Sequence, residues 1–257
     1  IEVSDKRRVL AAWKETVRST NKALALVASE LGLLRMDILW SGALLVPVIV
    51  VCATVAAKER DDAELVGWLA LAALLHRYSG ASETALDQDL RACRNRDPVG
   101  ALLSNLRQIR GTLSARPEDF SGRLNDRSSL LAAYIACRHS KARDLLSGSK
   151  INLQDSIDRH HILPRAQFTR EQRAGADTIA NIAFITNENN KAIGANAPEV
   201  YLRAIKKEVL DSQCIPATQE LWFIDQAEEF WRQRRELLAN AFNGFVVESM
   251  PSRRAAR

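Results

Sequence analysis

A chain of 257 residues that is 47% hydrophobic and 26% charged can bury an ample core, as one large domain or two modest ones, and reads as an ordinary soluble globular protein. Glycine (11) and proline (7) are scarce, which points to long helices and few tight turns. The net charge of +5 suits a polyanionic partner without requiring one.

The four cysteines, Cys52, Cys93, Cys137 and Cys214, are far apart and form no Cys-x-x-Cys pair. They read as buried free thiols rather than zinc ligands or disulfides, in keeping with a reducing cytoplasm. No signal peptide is visible, and a start at Ile1 rather than Met reads as an excised domain whose N-terminal part is missing. From Ile38 to Ala57 no charge appears, close to the ~20 residues that span a bilayer. Pro47, Ser41 and Gly42 interrupt or soften this segment and no second one exists, so it reads as a buried central helix and no membrane partner is expected.

In chain order, Ser4 to Leu31 predicts an amphipathic helix with Val9, Leu10, Trp13, Val17, Leu24, Leu26 and Val27 on its apolar face and Gly32 as its stop. After the apolar helix, Asp61 or Asp62 caps a helix through Leu65, Trp68 and Leu75 that stops near Gly80. Ser82 starts another through Cys93, and Val99 to Ile109 a further one. Arg116 to Phe120 is a turn, and Ser128 to Leu146 is helical again until Ser147-Gly148-Ser149 breaks it. Residues 1–150 thus read as an all-helical domain, and the five tryptophans of the whole chain are spaced like core anchors. Beyond residue 150 the texture changes. Ser156–His161 and Ile182–Thr186 are strand candidates, the second β-branched and aromatic. Asn187 caps a short helix that Gly194 stops, and Pro198 opens a helix through Tyr201, Leu202, Ile205 and Val209. The last helix runs from Gln219 to Phe242 with Leu221, Phe230, Trp231, Leu237 and Leu238 buried, before a mobile tail at 252–257.

Half of the chain's four histidines stand side by side in Asp158-Arg-His-His-Ile-Leu-Pro164. Asn181 follows twenty residues after His161, and Asn190 nine residues later. Hydrolysing a phosphodiester needs a base to take a proton from water and a cation to neutralise charge on the phosphoryl and leaving oxygens. Histidine titrates near neutrality and suits the first task. Magnesium keeps several waters and needs few protein ligands, so one His, one Asn oxygen and one further ligand suffice.

This pattern resembles the ββα-metal fold of HNH endonucleases. The resemblance implies that His161 is the general base, that Asn181 holds the catalytic loop or orients that base, and that Asn190 is the helical metal ligand. His160 falls at the first metal-ligand position, where Asp is more usual, and Asp158 is a fallback ligand sharing its strand face. The cofactor implied is one Mg²⁺, or Mn²⁺ or another divalent cation. Together with the preceding helical stretch and the Ala197-Pro-Glu-Val-Tyr-Leu202 helix, the motif is similar to the C-terminal nuclease half of GmrSD/SspE-type modification-dependent endonucleases, which include phosphorothioate-sensing anti-phage nickases. It implies a mainly α fold: helical residues 1–150, a small ββα-metal insert over 151–205, and C-terminal helices over 206–257 packing back on the helical domain. The implied partners are double-stranded DNA and an N-terminal nucleotide-hydrolysing sensor domain.

Arg159, Arg165, Arg170 and Arg173 flank the active loop and, with Lys191, are the candidate phosphate contacts. Further basic clusters at Arg91/Arg94/Arg96, Lys206/Lys207 and Arg232/Arg234/Arg235 complete the candidate DNA footprint. His76 and His139 read as structural or surface residues. Two alternatives stay open: an RNA or unspecific nuclease, and a helical DNA-binding or regulatory module whose site has decayed.

Overall fold

The computed structural model describes residues 3–33, 41–80, 82–151 and 157–251. The architecture is mainly helical, with eleven α-helices and one two-stranded antiparallel sheet among those residues. The chain divides into two compact units, Ile1–Leu113 with Ser249–Arg257, and Ser114–Glu248. The division therefore falls well before residue 150, and residues 206–248 belong to the same unit as the strands.

In the first unit α1 (Val3–Leu31) is stopped by Gly32 in the left-handed conformation, φ +65. Its expected apolar face is only half realised. Ala23, Leu26, Val27 and Leu31 are buried, whereas Val9, Leu10, Trp13 and Val17 are exposed. Trp13 is thus no core anchor; Trp40 and Ile38 lie outside the described residues, as does the tail at 252–257. The apolar stretch yields α2 (Leu45–Thr54), ten residues long. Pro47 does not interrupt it, because it sits in the first turn, where a missing N–H costs no intrahelical bond. No helix among the described residues is long and apolar enough to cross a membrane.

Asp61 caps α3 (Asp62–Leu74) by accepting from the Glu64 N–H at 2.9 Å. Every residue from Glu64 to Leu74 is buried, as expected for a helix apolar on all sides. Gly67 permits this: a Cβ there would stand 2.7 Å from Met250 Cε. Two further helices, α4 (Ser82–Ala92) and α5 (Pro98–Ile109), complete the unit. The fully buried Asp89 of α4 binds Arg77 through both carboxylate oxygens (2.9 and 3.1 Å), with Tyr78 Oη at 2.6 Å and Asn105 Nδ2 of α5 at 2.8 Å. A buried charge is tolerable when so completely bonded.

In the second unit α6 (Arg127–His139) is capped by Asp126, which accepts from the N–H groups of Ser128 and Ser129. The helix ends at Ser140 rather than at Leu146: Lys141 is left-handed (φ 59), and the buried carboxylate of Asp144 takes the N–H groups of Leu146 and Ser147. Strand β1 (Ile157–His161) pairs antiparallel with β2 (Ile182–Thr186), from Ile157 opposite Thr186 to His161 opposite Ile182. The one-turn helix α7 (Arg173–Ala176) lies in the connection, and α8 (Asn187–Ile193) follows β2 directly, closed by Gly194 at φ 55. The helix expected from Pro198 to Val209 is broken. It is α9 (Pro198–Tyr201), a 3-10 turn, extended backbone at Ile205, then α10 (Lys207–Ser212). The last helix, α11 (Ala227–Ser249), starts eight residues later than expected, after two 3-10 turns. Leu237 is exposed, not buried. Ile162, Leu163, Ala183, Ile185, Ile193, Leu202, Trp222, Phe230 and Trp231 share one apolar core beneath the strands. The four cysteines are free and buried, as expected.

Candidate functional site

Side chains alternate across β1, so Asp158 and His160 share one face while Arg159 and His161 share the other. His160 is buried, at 2% exposure, and His161 is half-buried. Asn181 ties together the two ends of the connection between the strands. The buried Asn181 carboxamide accepts from the Leu163 N–H at 2.9 Å and donates to the carbonyls of Leu163 and Ala176, both at 2.9 Å. Three bonds nearly exhaust an amide's capacity, and they tie Leu163 and Ala176 to this one side chain.

Behind this loop stands Arg234 of α11. It is wholly buried and donates to the carbonyls of Ala180 (3.0 Å), Ile182 (2.6 Å), Gln213 (3.1 Å) and Cys214 (3.3 Å). Burial lowers its pKa below the ordinary arginine value. This overturns its placement in a DNA-facing cluster: the guanidinium brackets Asn181 from the interior, where no phosphate reaches. Its neighbour Arg232 is exposed but paired with Glu229 and Glu236.

Helix α8 brings Asn190 over the face that carries Asp158 and His160. Asn190 Nδ2 donates to Asp158 Oδ2 at 3.0 Å, and Asn187 Nδ2 donates to the same oxygen at 2.7 Å. An amide nitrogen facing a carboxylate fixes the amide's other end, so Asn190 Oδ1 points at His160 Nδ1, 2.9 Å away. The start of α8 is fixed in turn by Asp144, absent from the sequence-based site. Asp144 Oδ2 accepts from the Thr186 N–H and hydroxyl at 2.9 Å each, and Oδ1 accepts from Asn189 Nδ2 at 2.6 Å. Burial alone would raise the pKa of Asp144, but these bonds and the Ser147 N–H outweigh it and leave the pKa lowered.

Tyr201, at the end of α9, closes the far side of His160. Its hydroxyl donates to the Ile162 carbonyl at 2.7 Å and lies 3.2 Å from His160 Nε2, with the two rings edge to face. Burial lowers the pKa of His160, although its bond to Asn190 opposes the shift. A neutral ring that donates Nδ1–H to Asn190 leaves Nε2 an acceptor. Nε2 then competes with the Ile162 carbonyl for the one Tyr201 hydroxyl hydrogen.

On the opposite face His161 Nε2 is 3.0 Å from Asp177 Oδ1, and Asp177 Oδ2 is 3.5 Å from Arg165 Nε. Asp177 is anchored through its backbone, whose carbonyl accepts from Leu124 N–H at 3.0 Å. Neither Asp177 nor Tyr201 was identified as a site residue from sequence; no local pattern marks an acid sixteen residues from its histidine. Arg159, Arg165, Arg170, Arg173 and Lys191 are exposed. His76 is exposed and left-handed just past the end of α3, and His139 lies near Glu248.

The arrangement thus joins His160, Asn190 and Asp158 on one face and His161 on the other, with Asn181 shaping the loop between them. No group of three or more His, Cys, Asp or Glu side chains able to hold a metal occurs among the described residues. A cation here would have to rely on His160, the Asn190 amide oxygen and water. The two donor atoms suit one: ligands at right angles on a cation with ~2.1 Å bonds lie roughly 3 Å apart, close to the separation of His160 Nδ1 and Asn190 Oδ1. No family model matches the chain, and neither the curated proteins nor the solved structures contain a match.

Proposed function

We propose that this chain is a metal-dependent DNA endonuclease of the HNH type, the effector part of an anti-phage restriction protein that responds to DNA modification. The observation that carries the reading is the meeting of His160 Nδ1 with Asn190 Oδ1, which Asp158 orients, on one face of the first strand, with His161 on the other. If Nδ1 ligates a cation, the ring must be the Nε2–H tautomer. Nε2–H then donates to the Tyr201 oxygen while the Tyr201 hydroxyl keeps its 2.7 Å bond to Ile162, and every group is satisfied. The residues that would hold the cation are His160 and Asn190, with Asp158 orienting the Asn190 amide rather than ligating directly. A cation bound there supplies positive charge to the scissile phosphate and its leaving 3′ oxygen. One imidazole ligand makes Mn²⁺ or Ni²⁺ a better fit than Mg²⁺, which prefers oxygen throughout.

His161 is the base. Its ring takes a proton from water as the water oxygen bonds to phosphorus and the bond from phosphorus to the 3′ oxygen breaks. Asn181 keeps the loop after His161 in place, and Arg159, Arg165, Arg170, Arg173 and Lys191 bind backbone phosphates without reading bases. One site cuts one strand, so a single copy nicks. Sensing of the modification belongs, on this reading, to a nucleotide-hydrolysing partner domain.

The test is nicking of supercoiled plasmid with EDTA, Mg²⁺, Mn²⁺ or Ni²⁺, using the parent protein and His161→Ala. Metal-dependent nicking that falls at least ~100-fold in the variant is expected. Equal nicking by both proteins would sink the assignment. A gel shift without cleavage under any metal selects a DNA-binding module instead, and cleavage confined to RNA selects a ribonuclease.

A further inference from the structure

We infer that Asp177 is a positioning residue for His161, setting which ring nitrogen is free to act. The inference rests on the nuclease reading above and deepens it. Three observations carry it. Asp177 Oδ1 lies 3.0 Å from His161 Nε2, while Nδ1 of that ring takes part in no hydrogen bond among the described residues. The carboxylate is held from behind, since its backbone carbonyl accepts from the Leu124 N–H and Thr178 bridges to Arg123. Its second oxygen faces Arg165 at 3.5 Å, so the acid stands between the base and a residue assigned to phosphate.

A carboxylate can only accept. It therefore selects the Nε2–H tautomer of a neutral imidazole and leaves the Nδ1 lone pair as the proton acceptor. A proton taken at Nδ1 produces an imidazolium whose charge the same carboxylate balances. Arg165 lies beside the other carboxylate oxygen, which leaves Oδ1 to the ring.

The test combines two readouts on the parent protein, Asp177→Asn and Asp177→Glu. The first is the ¹⁵N NMR spectrum of histidine-labelled protein about two pH units above the ordinary histidine pKa of ~6.5, with His161 assigned by its loss in His161→Ala. The Nε2–H tautomer is expected in the parent and in Asp177→Glu. In Asp177→Asn the amide can donate to Nε2, and the Nδ1–H form is expected. The second is nicking at saturating DNA with Mn²⁺. Asp177→Asn should lose roughly 100-fold or more in kcat with KM moving less than about threefold, and Asp177→Glu should recover part of the loss. An Asp177→Asn protein that keeps the Nε2–H tautomer, or that nicks at the parent rate, overturns the inference. A parent protein that never nicks counts against the nuclease reading, whereas the tautomer comparison still decides whether Asp177 sets the ring.

Discussion

Asn181 and Leu163 exchange two hydrogen bonds across the loop, the carboxamide accepting from the Leu163 N–H and donating to the Leu163 carbonyl, both at 2.9 Å. A third bond to Ala176 ties the far end of the loop to the same side chain. Asn181→Ala would strand one buried N–H and two buried carbonyls. At ~1–3 kcal/mol for each unsatisfied group, a loss of about 3 kcal/mol or more is expected in urea unfolding. Asn181→Asp should be at least as damaging near neutral pH, because it turns a carboxylate oxygen towards two carbonyls. Either variant unfolding at the parent's midpoint would show that the loop does not depend on this amide.

Tyr201→Phe removes one oxygen and leaves the packing intact. The buried Ile162 carbonyl loses its partner, at a cost of about 1–2 kcal/mol. On the proposed reading His160 also loses the group that accepts from Nε2–H, and affinity for Mn²⁺ should fall about tenfold, the scale found for groups that orient a ligand. Calorimetric titration of Mn²⁺ into parent and variant measures this without reference to cleavage. An unchanged affinity would remove Tyr201 from the site and leave it a core residue.

Asp144 gives a pH dependence of definite sign. Its folded pKa is lowered, so its contribution is present above the unfolded carboxyl value of ~3.9 and is lost as pH falls through the lower folded value. Asp144→Asn should lose about 3 kcal/mol near pH 7, since the charged acceptor serves Thr186, Ser147 and Asn189 at once. Parent and variant should converge as pH drops below ~3.9. Chemical unfolding of both proteins across that range checks it, and a gap that widens in acid would contradict the assignment.

The site was legible from sequence where its residues are close along the chain or at a recognisable spacing. His160, His161, Asn181 and Asn190 do meet around one hairpin and the helix that follows it. Asp144 and Asp177 were invisible because their partners are tertiary: Thr186 lies 42 residues from Asp144, and the bond to His161 exists only once the loop has closed. Arg234 was misread for a related reason. In sequence it sits between Arg232 and Arg235, and only the packing of α11 shows that it alone faces the interior. The end of α6 was misplaced because the residues after it fold around Asp144, which takes the N–H groups of Leu146 and Ser147. The exposed half of α1 shows the opposite limit: helical spacing of Val9, Leu10, Trp13 and Val17 fixes a face but not what covers it.

The burial of Arg234 also bears on any polyelectrolyte this protein meets. A cation buried among backbone carbonyls cannot sit against a phosphate, and so displaces none of the counterions condensed on a polyanion. Arg77 is withdrawn from such contact differently, by its ion pair with the buried Asp89. Direct phosphate contacts, and the salt dependence they bring, thus fall to exposed side chains, which are fewer than the cationic groups the sequence contains.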